Sequence, residues 1–283
     1  MLFLAVGRFV RPVFFWWSAF MVAGLPAFSA AEQTAEPEQQ VRNNFVMGAL
    51  GDSITSGVNS TGWGSQIEHS WATGNHSDGQ VVSHFMRLKN TFQDRVIERH
   101  NVARGGAKAS GLASQVRDLA GLQPDYVSVL IGANDACGWS EDSSSQISGF
   151  KNSVATAMTG LIDLNPDVKI LLLPIPNMYG LWEVGSGMSC QWLWDLTGIC
   201  SPLLSSARTR AERQAFQARV DRANLKLQEV ADEYSENIMF DLSLAQYQFS
   251  AEHISRLDCF HPSGQGQNLV AELSWETGWF AGQ

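Results

Sequence analysis

Runs of basic residues are missing from this sequence. Its 283 residues carry 19 Lys and Arg against 28 Asp and Glu, a formal net charge of −9. Phosphate backbones are held by positive surfaces, so nucleic acid is not an expected partner. The same deficit disfavours tight adsorption to an anionic membrane. Apolar stretches long enough to cross a bilayer, about twenty residues, do not occur after residue 31. Cysteine is scarce: Cys137, Cys190, Cys200 and Cys259 are all there are. No CxxC or HxxxH pair is present, so no metal site is expected. No repeat of fixed period runs through the chain. What is there describes an ordinary globular protein, 45% hydrophobic and 17% charged, long enough for one large α/β domain and short for two.

The N-terminus has a different character. Arg8 and Arg11 are the only charges before Glu32, and residues 12–31 are apolar or small, with Phe14, Phe15, Trp16, Trp17 and Phe20 at the centre. The stretch ends in Ala27-Phe28-Ser29-Ala30-Ala31, which puts small residues at −3 and −1 for cleavage after Ser29 or Ala31. This pattern predicts a secretory signal peptide over residues 1–31 and a secreted or periplasmic protein. An uncleaved anchor is the alternative, but Pro12 and Pro26 bracket a segment short for a span. No cysteine stands at or directly after the cleavage region, so a lipid-anchored form is not expected, and no stable membrane anchor is expected either. Residues 32–44, rich in Glu, Gln and Ala without apolar period, read as a tail, and 45–283 as the folded domain, expected as a monomer. Four cysteines in an exported chain point to two disulfides. Three pairings are possible, and proximity favours Cys190 with Cys200.

Short apolar runs bounded by Gly or Pro predict buried strands at 45–50, 95–100, 126–131, 168–173 and 238–241. Helical spacing relates Leu112, Val116 and Leu119, and also Ile147, Phe150, Val154, Met158 and Leu161, the latter after Ser143 or Ser144 as a cap. Residues 208–234 read as a long charged helix with Phe216, Val220, Leu227 and Val230 inward, and a last helix follows Pro262-Ser263. Strands alternating with helices imply a parallel sheet covered on both faces, with ligands bound beyond the carboxyl ends of the strands. Residues 177–204 have no period and read as an insertion after the fourth strand. Their aromatics, Trp182, Trp192 and Trp194 among them, suit either an apolar lid that contacts substrate or a small self-packed subcore.

The strand ends carry the chemistry. The first runs into Gly51-Asp52-Ser53-Ile54-Thr55, a serine on a turn into a helix, where its hydroxyl is reachable. The second leads to Asn101 and the pair Gly105-Gly106, whose backbone can approach a ligand closely. The third ends in Gly132-Ala133-Asn134-Asp135, and near the C-terminus stands Asp258-Cys259-Phe260-His261-Pro262-Ser263. An Asp and a His three apart on a turn can reach each other, so the carboxylate fixes the imidazole tautomer while the ring faces a nucleophile. Asp52 and Asp135 are expected to bond loop backbone, and Arg104 to sit in a surface ion pair. His69, His76, His84, His100 and His253 read as structural or surface residues, with segment 69–74 at the rim of the pocket.

In order and spacing, these four blocks resemble those of the SGNH (GDSL) hydrolases, over residues 51–263. The resemblance implies a three-layer, flavodoxin-like α/β fold with a parallel sheet of about five strands. It implies hydrolysis of carboxylic esters through an acyl-enzyme without a cofactor. Ser53 matches the nucleophile, His261 the base and Asp258 its orienter. The oxyanion hole would be the Ser53 N–H, Gly106 (or its neighbour Gly105) and Asn134. The blocks look closest to the phospholipase B-like and secreted lipase-like branches, which makes acyl esters of lipids or lysophospholipids the first expected substrates. A carbohydrate O-deacetylase is the alternative. A non-catalytic binding protein on the same fold would lack one of the five residues, and all five are present. Secreted members with a cysteine just after the third block often carry its partner in a segment like Gly198-Ile199-Cys200. The resemblance therefore implies Cys137 with Cys200, and leaves Cys190 with Cys259.

Overall fold

The structure is a computed structural model that describes residues 43–187 and 190–282. The expected signal peptide, and all but the end of the expected tail, lie outside the described residues. Strands β1 (Asn44–Gly51), β2 (Val96–Asn101), β3 (Tyr126–Leu130), β4 (Lys169–Leu173) and β5 (Ile238–Phe240) form one parallel sheet in the order β2-β1-β3-β4-β5. Each expected strand forms, with ends shifted by a residue or two. Asn44 belongs to β1 although it lies outside the apolar run: it pairs with Val96, and its amide donates to Glu98 Oε1 at 2.6 Å. Gly51, Leu130 and Leu173 are aligned across β1, β3 and β4, so the segments that follow them leave the sheet side by side.

The sheet is covered on both faces, which is why its central strands are almost wholly apolar. Alternation along β4 shows the division: Ile170 and Leu172 pack on one side, Leu171 and Leu173 on the other. Helix α1 (His84–Thr91) lies in the second layer, where Phe85 and Leu88 meet Met47 and Tyr126. The first layer holds α2 (Leu112–Asp118) and, beyond the single turn α3 (Ala133–Ala136), α4 (Ser144–Leu164). Ser143 stands at the α4 N-cap without a side-chain cap bond.

Residues after β4 form α5 (Met178–Gly187), α6 (Gln191–Thr197) and α7 (Ser201–Leu204), followed by α8 (Arg210–Glu233). A capping box starts α8: the Thr209 side chain accepts from Glu212 N, and the Glu212 side chain accepts from Thr209 N. Phe216, Val220, Leu227 and Val230 are its buried stripe. After β5, α9 (Ser243–Gln246) leads to α10 (Gly264–Glu276), capped by Ser263 Oγ accepting from Gly266 N and packed in the second layer through Val270 and Trp275.

The segment expected as an aperiodic insertion is thus helical and contributes core. Trp194 is 1% exposed, and Met178, Leu203 and Leu204 are buried with it. Two disulfides, Cys137–Cys200 and Cys190–Cys259, tie it to α3 and to the turn between Asp258 and His261. That is the pairing implied by the family resemblance, not the one favoured by proximity. Among the described residues no helix is long and apolar enough to cross a membrane.

Candidate active site

Ser53 is delivered by a turn that only glycine permits. Gly51 has φ +149°, and a Cβ there would lie 2.3 Å from Leu130 O. Its peptide is held like a strand neighbour by buried Gln115, whose Oε1 accepts from Gly51 N and whose Nε2 donates to Gly51 O, both at 2.8 Å. The Ser53 hydroxyl then lies 2.7 Å from His261 Nε2, across 208 residues of chain, and His261 Nδ1 lies 2.6 Å from Asp258 Oδ2.

The Asp258 carboxylate is densely solvated by protein. Oδ1 accepts from the backbone N–H groups of Phe260 (2.9 Å) and His261 (3.0 Å), and Oδ2 also accepts from Asn59 Nδ2 at 2.6 Å. Burial pushes this carboxyl up, but His261, Asn59 and the backbone donor together hold it below the usual range. The turn passes through Cys259 at φ +56°, with its N–H on Ser255 O and its carbonyl accepting from Trp194 Nε1 at 3.1 Å.

Asn134 follows Gly132, at φ +123°, where a Cβ would meet Ile175 at 2.6 Å. Its Nδ2 donates to Ala107 O at 3.1 Å and lies 3.5 Å from Asp52 Oδ2. Ser53, Gly105, Gly106, Asn134 and His261 all line one cavity of about 240 Å³, walled by Val58, Ile199, Phe260 and the Cys137–Cys200 disulfide. The five residues that the family resemblance singles out are therefore brought together, with Gly105 beside them.

Residues 49–269 match the profile of the GDSL-like lipase/acylhydrolase family. The chain belongs to this family. Among solved structures, the lipase Lip_vut3 from a goat rumen metagenome is similar with a TM-score of 0.52 at 13% identity, covering 84% of this chain and 99% of that one. A GDSL-like lipase from Parabacteroides merdae is similar with a TM-score of 0.51 at 18% identity, covering 83% and 96%. At these identities the likeness is one of fold. No curated protein sequence matches the chain.

Around this GDSL-type site the flanking residues take the roles of scaffolding. Asp52 is 1% exposed, and its Oδ1 accepts from Ile54 N at 2.9 Å. Burial raises its carboxyl to about 7 against that hydrogen bond and the nearby His261. Asp135 accepts from Ala109 N at 3.0 Å, and its carboxyl is also raised by burial. Arg104 pairs with Asp118 at the surface. His261 also borders a small apolar cavity of about 50 Å³, with Ile54, Met178, Leu181, Phe249, Ile254 and Phe260 in its wall.

Trp182, Trp192 and Trp194 line neither of these two cavities. Trp182 stacks beneath the Arg213 guanidinium at 4.4 Å, and Trp192 is 66% exposed. For Trp194 the expectation of substrate contact is corrected: the helical packing of α5 to α7 seals its indole in the core. Segment 69–74 does not rim the pocket either. Ser70, Trp71 and Ala72 are wholly buried behind the serine turn, where Ser70 Oγ donates to Thr55 O at 2.7 Å. Asn59 carries no mark in the sequence, because its partner Asp258 is 199 residues away.

Proposed function

We propose that the protein is an exported esterase that hydrolyses carboxylic esters with apolar acyl groups, Ser53 being the nucleophile. The chain of contacts Ser53 Oγ, His261 Nε2, His261 Nδ1, Asp258 Oδ2, at 2.7 and 2.6 Å, carries this reading. Attack of Oγ on the ester carbonyl sends its proton to Nε2, and the resulting imidazolium is stabilised by the ionised Asp258. The carbonyl oxygen becomes an oxyanion facing the N–H groups of Ser53 and Gly106 and the Asn134 amide. One Nδ2 hydrogen of Asn134 is committed to Ala107 O, and its Asp52 contact is long, which leaves a donor for the oxyanion. Each such preformed donor lowers the barrier by on the order of 3 kcal/mol. His261 then protonates the leaving alcohol, and a water activated by the same ring releases the acid and restores Ser53.

The apolar walls of both cavities favour an alkyl acyl group over a sugar. Two disulfides support export, since such bonds persist in oxidising compartments. A fluorophosphonate probe is expected to label the wild type and not Ser53→Ala, whose ester hydrolysis falls by about 10⁴-fold or more. Well-folded wild type that resists the probe would defeat the enzymatic reading. A panel of p-nitrophenyl esters from acetate to palmitate reads the acyl preference, and a maximum at acetate alone would favour deacetylation.

A further inference from the structure

We infer that His69, His76 and Asp78 form a binding site for one divalent transition-metal cation, with zinc the best fit, that clamps the loop following Ser53. His69 Nε2 and His76 Nδ1 both point at one atom, Asp78 Oδ2, each at 3.0 Å. The three candidate ligand atoms lie within 4.8 Å of one another. A tetrahedral ion with bonds of about 2.0–2.1 Å needs ligand atoms roughly 3.3–3.4 Å apart. The two nitrogen–oxygen separations fall just short of that spacing, so small side-chain shifts admit the ion.

The supports of a metal site are also present. The second nitrogen of His69, Nδ1, lies 3.1 Å from Thr61 Oγ1, which holds the ring's direction. Asp78 Oδ1 is held by Gln80 N at 3.0 Å, leaving Oδ2 for the ion. The backbone is preformed: Asn75 N and His76 N both donate to Glu68 O at 3.0 Å, and Gly74 packs where a Cβ would lie 2.5 Å from Ser70 O. His69 is 7% exposed, whereas the side chains of His76 and Asp78 are 45% and 30% exposed, so the ion has an entry path and room for water as fourth ligand. Two imidazoles and one carboxylate suit zinc and its neighbours, not magnesium or calcium, which prefer oxygen alone. The spacing, His69 then His76 then Asp78, is neither CxxC nor HxxxH, so pair patterns in the sequence pass over it.

None of the three residues lines the cavity of Ser53, so the role is structural. Through Thr61 the clamp would steady the loop in which Ser60 O accepts from Gly264 N and Asn59 donates to Asp258. The test uses the full disulfide-bonded protein, stripped with a chelator and titrated with zinc chloride alone in a calorimeter. One zinc per chain is expected, with Tm raised by about 5 °C at saturating metal, a typical linkage effect. Cobalt(II) in its place should give visible d–d bands. In His76→Ala, an exposed position that leaves the fold intact, affinity should fall at least tenfold and the bands vanish, while His100→Ala binds like wild type. A stripped, folded wild type that takes up no zinc, or a His76→Ala variant that binds as tightly as wild type, would overturn the site.

Discussion

Asp258 is kept ionised by several donors at once, and one of them, Asn59, belongs to neither its own turn nor the His261 ring. Removing a hydrogen bond to a charged group typically forfeits about 1.5–3 kcal/mol. Asn59→Ala is therefore expected to lower kcat by about tenfold or more with KM little changed. Because the lost bond favours the ionised form, the acid limb of the kcat profile should move to higher pH. An unchanged limb in steady-state assays would reduce Asn59 to a loop prop. His84 shows the reverse electrostatics in the core. Its Nδ1 meets Tyr126 Oη at 2.7 Å and its Nε2 meets Ser274 Oγ at 2.8 Å, and burial lowers its pKa from 6.5 to about 3. The folded pKa lies below the unfolded one, so its neutral form contributes stability above about pH 6.5 that is lost as pH falls toward 3. Between pH 7 and 5 this group alone should remove about 2 kcal/mol, so the stability gap between wild type and His84→Gln, read by urea unfolding, should narrow by that amount.

At the scale of elements, the strands were legible because burial on both faces demands continuous apolar runs, and β1, β3 and β4 show them. Helix α8 was legible for a different reason: one stripe buried, the rest charged, over 24 residues. Helices α5 and α6 were not. They span 10 and 7 residues and carry large apolar side chains on more than one face, so no period emerges. Their packing instead depends on Gly185, where a Cβ would sit 2.4 Å from the Trp194 ring. Gly185→Ala should cost about 1–3 kcal/mol of unfolding free energy, because the indole is buried and cannot swing away. A denaturation midpoint equal to wild type would show that α5 and α6 can slide apart.

The whole molecule is stapled by bonds that bridge distant segments. Cys137–Cys200 and Cys190–Cys259 close sequence separations of 63 and 69 residues and anchor α6 and α7 against the active-site wall. In the chain-entropy account a loop of that size is worth roughly 4 kcal/mol. The double variant Cys190→Ser/Cys259→Ser should lose a stabilisation of that order by urea titration. It should also lose activity at temperatures where it remains folded, since Cys259 sits inside the turn that joins Asp258 to His261. Full activity in a destabilised but folded variant would separate the staple from the site.

The amino-acid order alone determined where the strands lie, which reactive residues stand at their ends, and that four blocks occur in a family's sequence. Each of these is a local pattern of polarity or residue type, readable without knowing what lies across the sheet. Only the tertiary structure decided that Asn59 reaches Asp258, that Trp194 is core and not a substrate contact, and that His69, His76 and Asp78 converge on one point. Those outcomes are contacts set by how helices and loops pack, and no periodicity along the chain encodes them.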